Sequence, residues 1–321
     1  MEGMDTMARN KPILVTGSHR SGTTWVGKTL ARADGVYYVN EPFNVDFPLD
    51  GIKLKVETWF AHFASSHQQS DIKDAVGNTM TWPAWRYAWQ VCLDNGLDIK
   101  TPGRFAKYFS MRLFKNKMLF KDPLALLSAD WFHEQWDADI VVMIRNPFAF
   151  AASLKTAVWG FDFSHFSRQT PLMESRFREY KNTIRELAEQ PDNFSFMQKS
   201  AWLWVLLHEI IRQYQQEYPQ WQYCYHEEIS LEPVGGFSHL FNALELPLTA
   251  ETKAYIEKTT SSGNPSEAKG TNFQARDAKA SLDTWKKRLT GDEIAIVSAI
   301  TKPLGEHFYP TMFTENTAAK S

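Results

Sequence analysis

Pro12-Ile13-Leu14-Val15-Thr16-Gly17-Ser18-His19-Arg20-Ser21-Gly22-Thr23-Thr24-Trp25, continuing into Val26-Gly27-Lys28-Thr29-Leu30, reads as strand, loop and helix. A short apolar run gives way to small and polar residues, and then to apolar side chains at helical spacing. Such a junction binds anions. Glycine lets the backbone approach a ligand, and the first free N–H groups of the helix point at it with the positive end of the dipole. The interval from Gly17 to Gly22 followed by Thr23-Thr24 has P-loop spacing, but Thr23 stands where the P-loop lysine belongs.

The 321 residues suit one α/β domain carrying insertions. With 35 basic and 37 acidic residues, the overall charge asks for neither nucleic acid nor an anionic membrane, so any anion site must be local. Cys92 and Cys224 are far apart and lack metal-ligand spacing, which fits a reducing compartment and argues against a disulfide framework or a zinc site. No stretch is long and apolar enough to span a bilayer, and Met1 to Asn10 lacks the apolar core of a secretory signal. The expectation is a cytoplasmic protein with a single domain over residues 11–313 and frayed ends at 1–10 and 314–321. No internal repeat or interdomain linker is visible.

Three further strand ends carry chemistry. Val36-Tyr37-Tyr38-Val39 stops at Asn40-Glu41-Pro42-Phe43-Asn44. Glu41 thus lies outside the carboxyl end of a strand, where α/β proteins put their ligands, although a solvated loop glutamate fits the same residues. Lys117 to Lys121 is another short strand, ending in Lys121-Asp122-Pro123. Ile140-Val141-Val142-Met143-Ile144 is the apolar run expected of a parallel strand covered on both faces. It stops at Arg145-Asn146-Pro147, before a helix containing Ser153 and Lys155. Guanidinium, hydroxyl and ammonium together suit a phosphate. A triphosphatase would place an acidic magnesium ligand at such a strand end. A cation there, with the lysine missing from the first loop, points to a nucleotide with separate phosphates held by protein charge without metal.

Between Asp46 and Asn116 the pattern is irregular and aromatic. A helix here would put Trp82, Trp85 and Trp89 on one face, either to stack on a sugar or aromatic acceptor or to pack as core or lid. The bases between Lys100 and Lys117, around Phe105, Tyr108 and Phe109, form the lip of an anion site or a solvated surface.

The loop Arg20-Ser21-Gly22-Thr23-Thr24-Trp25 and the segment Val142 to Pro147 with Ser153 resemble the two nucleotide-binding signatures of sulfotransferases that use 3′-phosphoadenosine 5′-phosphosulfate. The resemblance implies a P-loop-like three-layer α/β fold with a central, mostly parallel sheet flanked by helices. It implies Arg20, Ser21, Gly22, Thr23, Thr24 and Trp25 around the 5′-phosphosulfate, and Arg145 and Ser153 at the 3′-phosphate. Glu41-Pro42 looks like the glutamate segment of the carbohydrate and protein-tyrosine branches, which implies Glu41 as catalytic base. Lys121-Asp122-Pro123 is similar to a lysine motif of the tyrosyl-protein branch, which implies Lys121 on the transferring sulfonate. The histidine base of the small-molecule branch is not at this position, and His133 falls inside a packed helix.

Sulfonate transfer needs a base, an in-line approach and positive charge on the leaving oxygen. Glu41, Arg20 and Lys121 can supply these without metal. The implied partners are the donor nucleotide and an acceptor hydroxyl on a carbohydrate or glycoconjugate, bound by an insertion at about residues 42–116. A peptide tyrosine or a small metabolite is the alternative acceptor, and a P-loop kinase or an inactive nucleotide-binding protein the competing class.

Downstream, Ser167 to Gln190 has an amphipathic helical pattern, and Gln198 to Tyr218 a longer one in which His208 reads as a packing residue. Trp221 to Tyr225 is a strand candidate. With His226-Glu227-Glu228 it resembles the family's tyrosine-plus-acid segment, although the arginine that usually precedes the tyrosine is missing, so Tyr225 is implied as a neighbour of the nucleotide. Pro233 to Leu246 reads as a helix, Ser261 to Asp277 as a mobile loop, and Ser281 to Leu289 as a basic helix. Related enzymes often fold such a late loop, here 261–288, over the nucleotide.

Overall fold

Each strand of the sheet is an apolar run stopped by glycine, proline or a charge. A computed structural model describes residues 11–45, 56–63, 68–113, 115, 117–266 and 274–313. The expected frayed ends, part of the insertion and the middle of the 261–277 loop lie outside the described residues. β1 (Ile13–Gly17) passes through the quoted loop into α1 (Thr23–Leu30) and returns as β2 (Val36–Asn40). Then α2 (Gln68–Thr81), α3 (Ala84–Asp94) and α4 (Thr101–Arg112) precede β3 (Lys117–Lys121). A 3-10 turn at Pro123–Ser128 and α5 (Ala129–Trp136) lead to β4 (Asp139–Ile144) and α6 (Pro147–Ala157). The short α7 (Ser164–Ser167), α8 (Thr170–Glu174) and α9 (Lys181–Glu189) come before α10 (Phe196–Glu217) and β5 (Gln222–Tyr225). The chain closes with α11 (His226–Leu231), α12 (Pro233–Ala243), α13 (Ala250–Thr260), α14 (Ala278–Ser281), α15 (Thr284–Arg288) and α16 (Gly291–Phe308).

Among the described residues the strands form one sheet in the order β2-β3-β1-β4-β5, with every neighbouring pair parallel. Alternation along each strand feeds two cores. Leu14, Val39, Phe120 and Val142 face one side with α10, while Ile13, Val15, Leu119 and Met143 face the other with Val26 and Leu30 of α1 and Phe237 of α12. Helices thus cover both faces in a three-layer α/β arrangement, as an all-parallel sheet requires.

Parallel pairing has a functional consequence: all carboxyl ends lie at one edge. Gly17 pairs with Met143, Lys121 lies level with both Val15 and Asn40, and Ile144 pairs with Tyr225. The residues just beyond these positions, Ser18, Glu41, Asp122, Arg145 and His226, therefore gather at that edge, where open α/β sheets bind ligands.

Two readings need correction. Ser167 to Gln190 is not one helix: Pro171, which cannot donate to a preceding turn, opens a new short helix, and Ser175 leaves helical geometry at φ −105, ψ −87. Trp85 and Trp89 of the insertion are not core. Pro83 is the N-cap of α3 and leaves Trp82 outside the helix; the buried face is Tyr87, Ala88, Val91 and Cys92, while Trp85 and Trp89 are exposed.

β1 can approach β4 closely at its end because Gly17 has no side chain. Its φ is +137°, and a Cβ there would sit 2.3 Å from the Met143 carbonyl oxygen. Gly17→Ala is expected to cost about 3 kcal/mol through strain and clash, read as a lowered urea midpoint. An unchanged midpoint would contradict this packing.

Candidate functional site

α1 begins at Gly22, which holds φ +96°, and no side chain caps the helix. Its leading N–H groups are therefore aimed at the loop, the arrangement that attracts an anion. A side chain on Gly22 would meet His226, whose Cδ2 lies 2.8 Å from the position of its Cβ. Inside the loop the hydroxyls of Ser18 and Ser21 are buried and make no hydrogen bond among the described residues, where neither ring nitrogen of buried His19 has a partner either. Buried polar atoms are nearly always satisfied, so a cluster of orphans is the mark of a ligand site.

Arg20, at φ +65°, reaches across the sheet edge, and its Nε donates to the Ser153 hydroxyl at 2.9 Å. Nη1 of Arg145 donates to the Arg20 carbonyl, and its buried Nε has no partner among the described residues. Arg20 thus meets Arg145 and Ser153, which lie 125 and 133 positions further along the chain, at one point. The Arg145-Asn146-Pro147 segment is shaped for this. Nε1 of Trp204 donates to the Arg145 carbonyl at 2.8 Å, the Asn146 carboxamide oxygen accepts from Ala149 N at 2.7 Å, and Pro147 starts α6. Glu227 secures the turn from the far side: one oxygen accepts from Asn146 N at 3.1 Å and Nδ2 at 2.7 Å, the other from the Tyr309 hydroxyl at 2.9 Å.

The electrostatics follow from burial. Arg145 is pushed down to about 10, first by burial and further by Arg20 and Arg276, with Glu227 opposing. Burial lowers Arg20 as well, with a contribution from Arg288. His19 and His226 are held well below the ordinary histidine value, His19 by burial and then Arg20, His226 by burial and then Arg145 and Arg276. Both imidazoles are neutral at pH 7. Arg276 and Arg288 bring the described part of the 261–288 segment into the field of this edge.

One sequence expectation is revised here. Lys155 does not face the Arg145 pocket; its Nζ donates to Glu293 at 2.7 Å and to the Arg288 carbonyl at 3.0 Å, tying α6 to the end of α15. Tyr225 packs edge-on against Tyr309, with centroids 5.5 Å apart, and it is the next residue, His226, that abuts Gly22 and Trp25. Trp25 itself sits against His226 and Phe237, while Thr23 is buried at the helix start and Thr24 half-buried. His133 and His208 are packing residues: each Nδ1 bonds a backbone carbonyl, of Ala138 at 2.8 Å and Trp204 at 2.9 Å.

Beside the loop, Glu41 and Lys121 form an ion pair. Glu41 stands at φ +46°, its N–H donates to the Lys121 carbonyl at 2.8 Å, and Asn44 Nδ2 donates to its second oxygen at 3.0 Å. The Lys121 stem reaches Glu41 beneath α1 because residue 27 is glycine: a Cβ there would lie 2.9 Å from Lys121 Cγ. Sequence reasoning passed over Asp122, although it stands inside the motif. Fully buried, it accepts from Phe43 N at 2.6 Å and Leu124 N at 2.9 Å, clamping the Glu41 turn to the end of β3. Also passed over were Trp59 and Trp159, 5.3 Å apart, with His19 4.0 Å from Trp159 and Phe60 and Phe150 closing the cage. No spacing links residues 19, 59 and 159. No group of three or more His, Cys, Asp or Glu suited to a metal lies among the described residues, and none of the described helices is long and apolar enough to cross a membrane.

Burial, then the Glu41 carboxylate, pushes Asp122 up to about 7 from its ordinary 3.8, against the pull of its amide donors and Lys121. The folded state therefore binds this proton more tightly than the unfolded chain. The stability Asp122 contributes is largest at low pH and falls as pH rises from about 4 to 7. Asp122→Asn, which replaces one acceptor by an NH2 facing an amide N–H, is expected to cost about 1–3 kcal/mol, with the wild-type advantage in urea midpoint larger at pH 5 than at pH 8. A pH-independent difference would rule out the raised carboxyl.

A family model described as "Sulfotransferase family" matches residues 12–250, more than half of the chain, and the chain belongs to that family. No curated protein matches the sequence. Among solved structures, sulfotransferase STF9 from Mycobacterium avium is similar at 14% identity and TM-score 0.45, over 94% of this chain and 77% of that one. The sulfotransferase domain from the curacin biosynthetic pathway aligns at 13% identity and TM-score 0.43, over 90% of this chain and 96% of that one. The sulfotransferase domain of the Synechococcus PCC 7002 olefin synthase gives 11% identity and TM-score 0.41, over 90% and 95%.

Proposed function

We propose that this member of the sulfotransferase family takes its sulfonate from 3′-phosphoadenosine 5′-phosphosulfate and passes it to an acceptor hydroxyl, with Glu41 as base. The observation that carries the reading is the meeting of Arg20, Arg145 and Ser153 beside a loop whose buried Ser18 and Ser21 hydroxyls have no partner among the described residues. Ser21, Gly22, Thr23 and Thr24, at the uncapped start of α1, suit the phosphosulfate end. Arg145 and Ser153 suit the 3′-phosphate, through charge-assisted hydrogen bonds of the kind guanidinium makes to phosphate oxygens. Neutral His226 lies on the same side, with Tyr225 behind it.

Glu41 and Lys121 work as a pair in this reading. The ammonium that now rests on the carboxylate moves to the negative sulfonate oxygens when the donor arrives, which frees Glu41 to take the acceptor proton. Arg20 and Lys121 then stabilise the leaving phosphate as charge builds on it. The half-buried aromatic pair Trp59 and Trp159 supports a carbohydrate or glycoconjugate acceptor, since flat rings stack on sugar faces. The donor and the acceptor lie within one sulfotransferase domain over 11–313, in which the acceptor is held by the insertion at about 42–116.

Calorimetric titration with 3′,5′-bisphosphoadenosine and single-turnover transfer of labelled sulfonate test this. Glu41→Gln and Lys121→Ala are expected to lower turnover by about 10²-fold or more while nucleotide affinity stays within about threefold. Arg145→Ala should instead lose the nucleotide. Near-wild-type turnover in both Glu41 and Lys121 variants would overturn the base assignment, and magnesium-dependent ATP binding in preference to the bisphosphate would overturn the donor.

A further inference from the structure

Of the nine large apolar side chains that are exposed among the described residues, seven lie on the α3–α4 hairpin: Trp85, Trp89, Leu93, Leu97, Ile99, Met111 and Leu113. Trp85, Trp89 and Leu93 recur every fourth residue and make one stripe along α3, opposite the buried Tyr87, Ala88 and Val91. The stripe runs into the turn at the hairpin tip, where Leu97 is 60% and Ile99 96% exposed. The inner face is seated on the sheet, with Tyr37 of β2 and Tyr87 of α3 joined through their hydroxyls at 3.3 Å. The outer face is thus a built feature of a packed hairpin, and soluble surfaces rarely leave so much contiguous apolar area to water.

Its charge is as uneven as its hydropathy. From Ala84 to Leu113 the chain carries Arg86, Lys100, Arg104, Lys107 and Arg112 against Asp94 and Asp98, within a protein of net charge −2. Arg104 pairs with Asp98 at 3.3 Å and Arg112 turns inward to the Met80 carbonyl, while Arg86, Lys100 and Lys107 are exposed on the same hairpin, Arg86 over the Trp82 ring and Lys107 over that of Tyr108. Tryptophan and aliphatic side chains bordered by exposed bases are what an anionic lipid–water interface selects: the apolar groups enter the headgroup boundary and the bases meet lipid phosphate and carboxylate. A second copy of the chain fits poorly, since a two-fold contact would set this basic patch against itself. A small acceptor fits poorly too, because a protruding tip cannot enclose a ligand.

We infer that the α3–α4 hairpin docks the protein on an anionic lipid surface through Trp85, Trp89, Leu93, Leu97 and Ile99. The inference goes beyond the proposed reaction and does not rest on the donor, base or acceptor assigned there. Co-sedimentation of the full chain with phosphatidylcholine vesicles, with and without roughly 30% phosphatidylserine, tests it at low and high salt. At least about tenfold tighter binding to the anionic vesicles is expected, weakened by salt and reduced at least about tenfold in the W85S/W89S/I99S variant. The variant should retain the wild-type circular dichroism spectrum and a cooperative urea transition, which serve as the check that it folds; should it not, W89S and I99S alone, which leave more of the hairpin intact, carry the same test. Failure of the wild type to bind anionic vesicles, or equal binding by folded variants, would overturn the inference. So would a concentration-dependent dimer that the same substitutions dissolve.

Discussion

Several positive charges are brought together at the carboxyl edge of this sheet, with burial that makes each of them costly. Arg145 is half-buried, donates to the backbone of Arg20, and feels Arg20 and Arg276 as like charges. Glu227, the acid nearest to it in effect, spends its oxygens on Asn146 and Tyr309. Guanidinium groups in such surroundings are stable only where hydrogen bonds and an eventual counter-charge compensate their desolvation. Asn146 caps α6, Trp204 holds the Arg145 carbonyl and Ser153 receives Arg20, and each contact keeps a cation where its own repulsion would move it.

That arrangement explains what could be read in the sequence. Buried parallel strands must be apolar on both faces and must stop where the chain turns, so Ile13 to Gly17 and Ile140 to Ile144 announce themselves, and the loop residues that follow fall at the ligand edge by geometry alone. Glu41, Lys121 and Arg145 were legible for that reason. Lys155 was not, because its partner Glu293 is 138 positions away and a helical lysine looks the same whether it faces a phosphate or a carboxylate. The Trp59–Trp159 pair and the grip of Asp122 on Phe43 are likewise contacts between distant segments. In the insertion, Trp85 and Trp89 carry the composition of a core but not its position, since the buried stripe of α3 is the one through Tyr87 and Val91.

The strain in the site is also placed by the sheet. Arg20 and Glu41 both occupy the left-handed region, which a non-glycine residue adopts only where its surroundings insist. For Arg20 the insistence comes from Arg145 and Ser153. For Glu41 it comes from its own N–H on the Lys121 carbonyl and from Asp122, which takes the amide of Phe43 two residues on.

Strand order gives Lys121 its particular reach. β3 lies between β1 and β2, so Lys121 is level at once with Val15, which leads into the Ser18–Gly22 loop, and with Asn40, which leads into Glu41. Its stem runs under α1, against Gly27, and its carbonyl, its ammonium and the carboxylate of the following residue all act on the Glu41 turn. A methyl group on Gly27 would press on that stem and on the ring of Tyr38 together. The helix whose first turn follows the Ser18–Gly22 loop is therefore also the ceiling over the lysine, and a displacement of α1 cannot reach the loop without reaching the Glu41–Lys121 pair. In the proposed reaction, donor binding and the state of the Glu41 carboxylate are therefore coupled through one side chain, by packing.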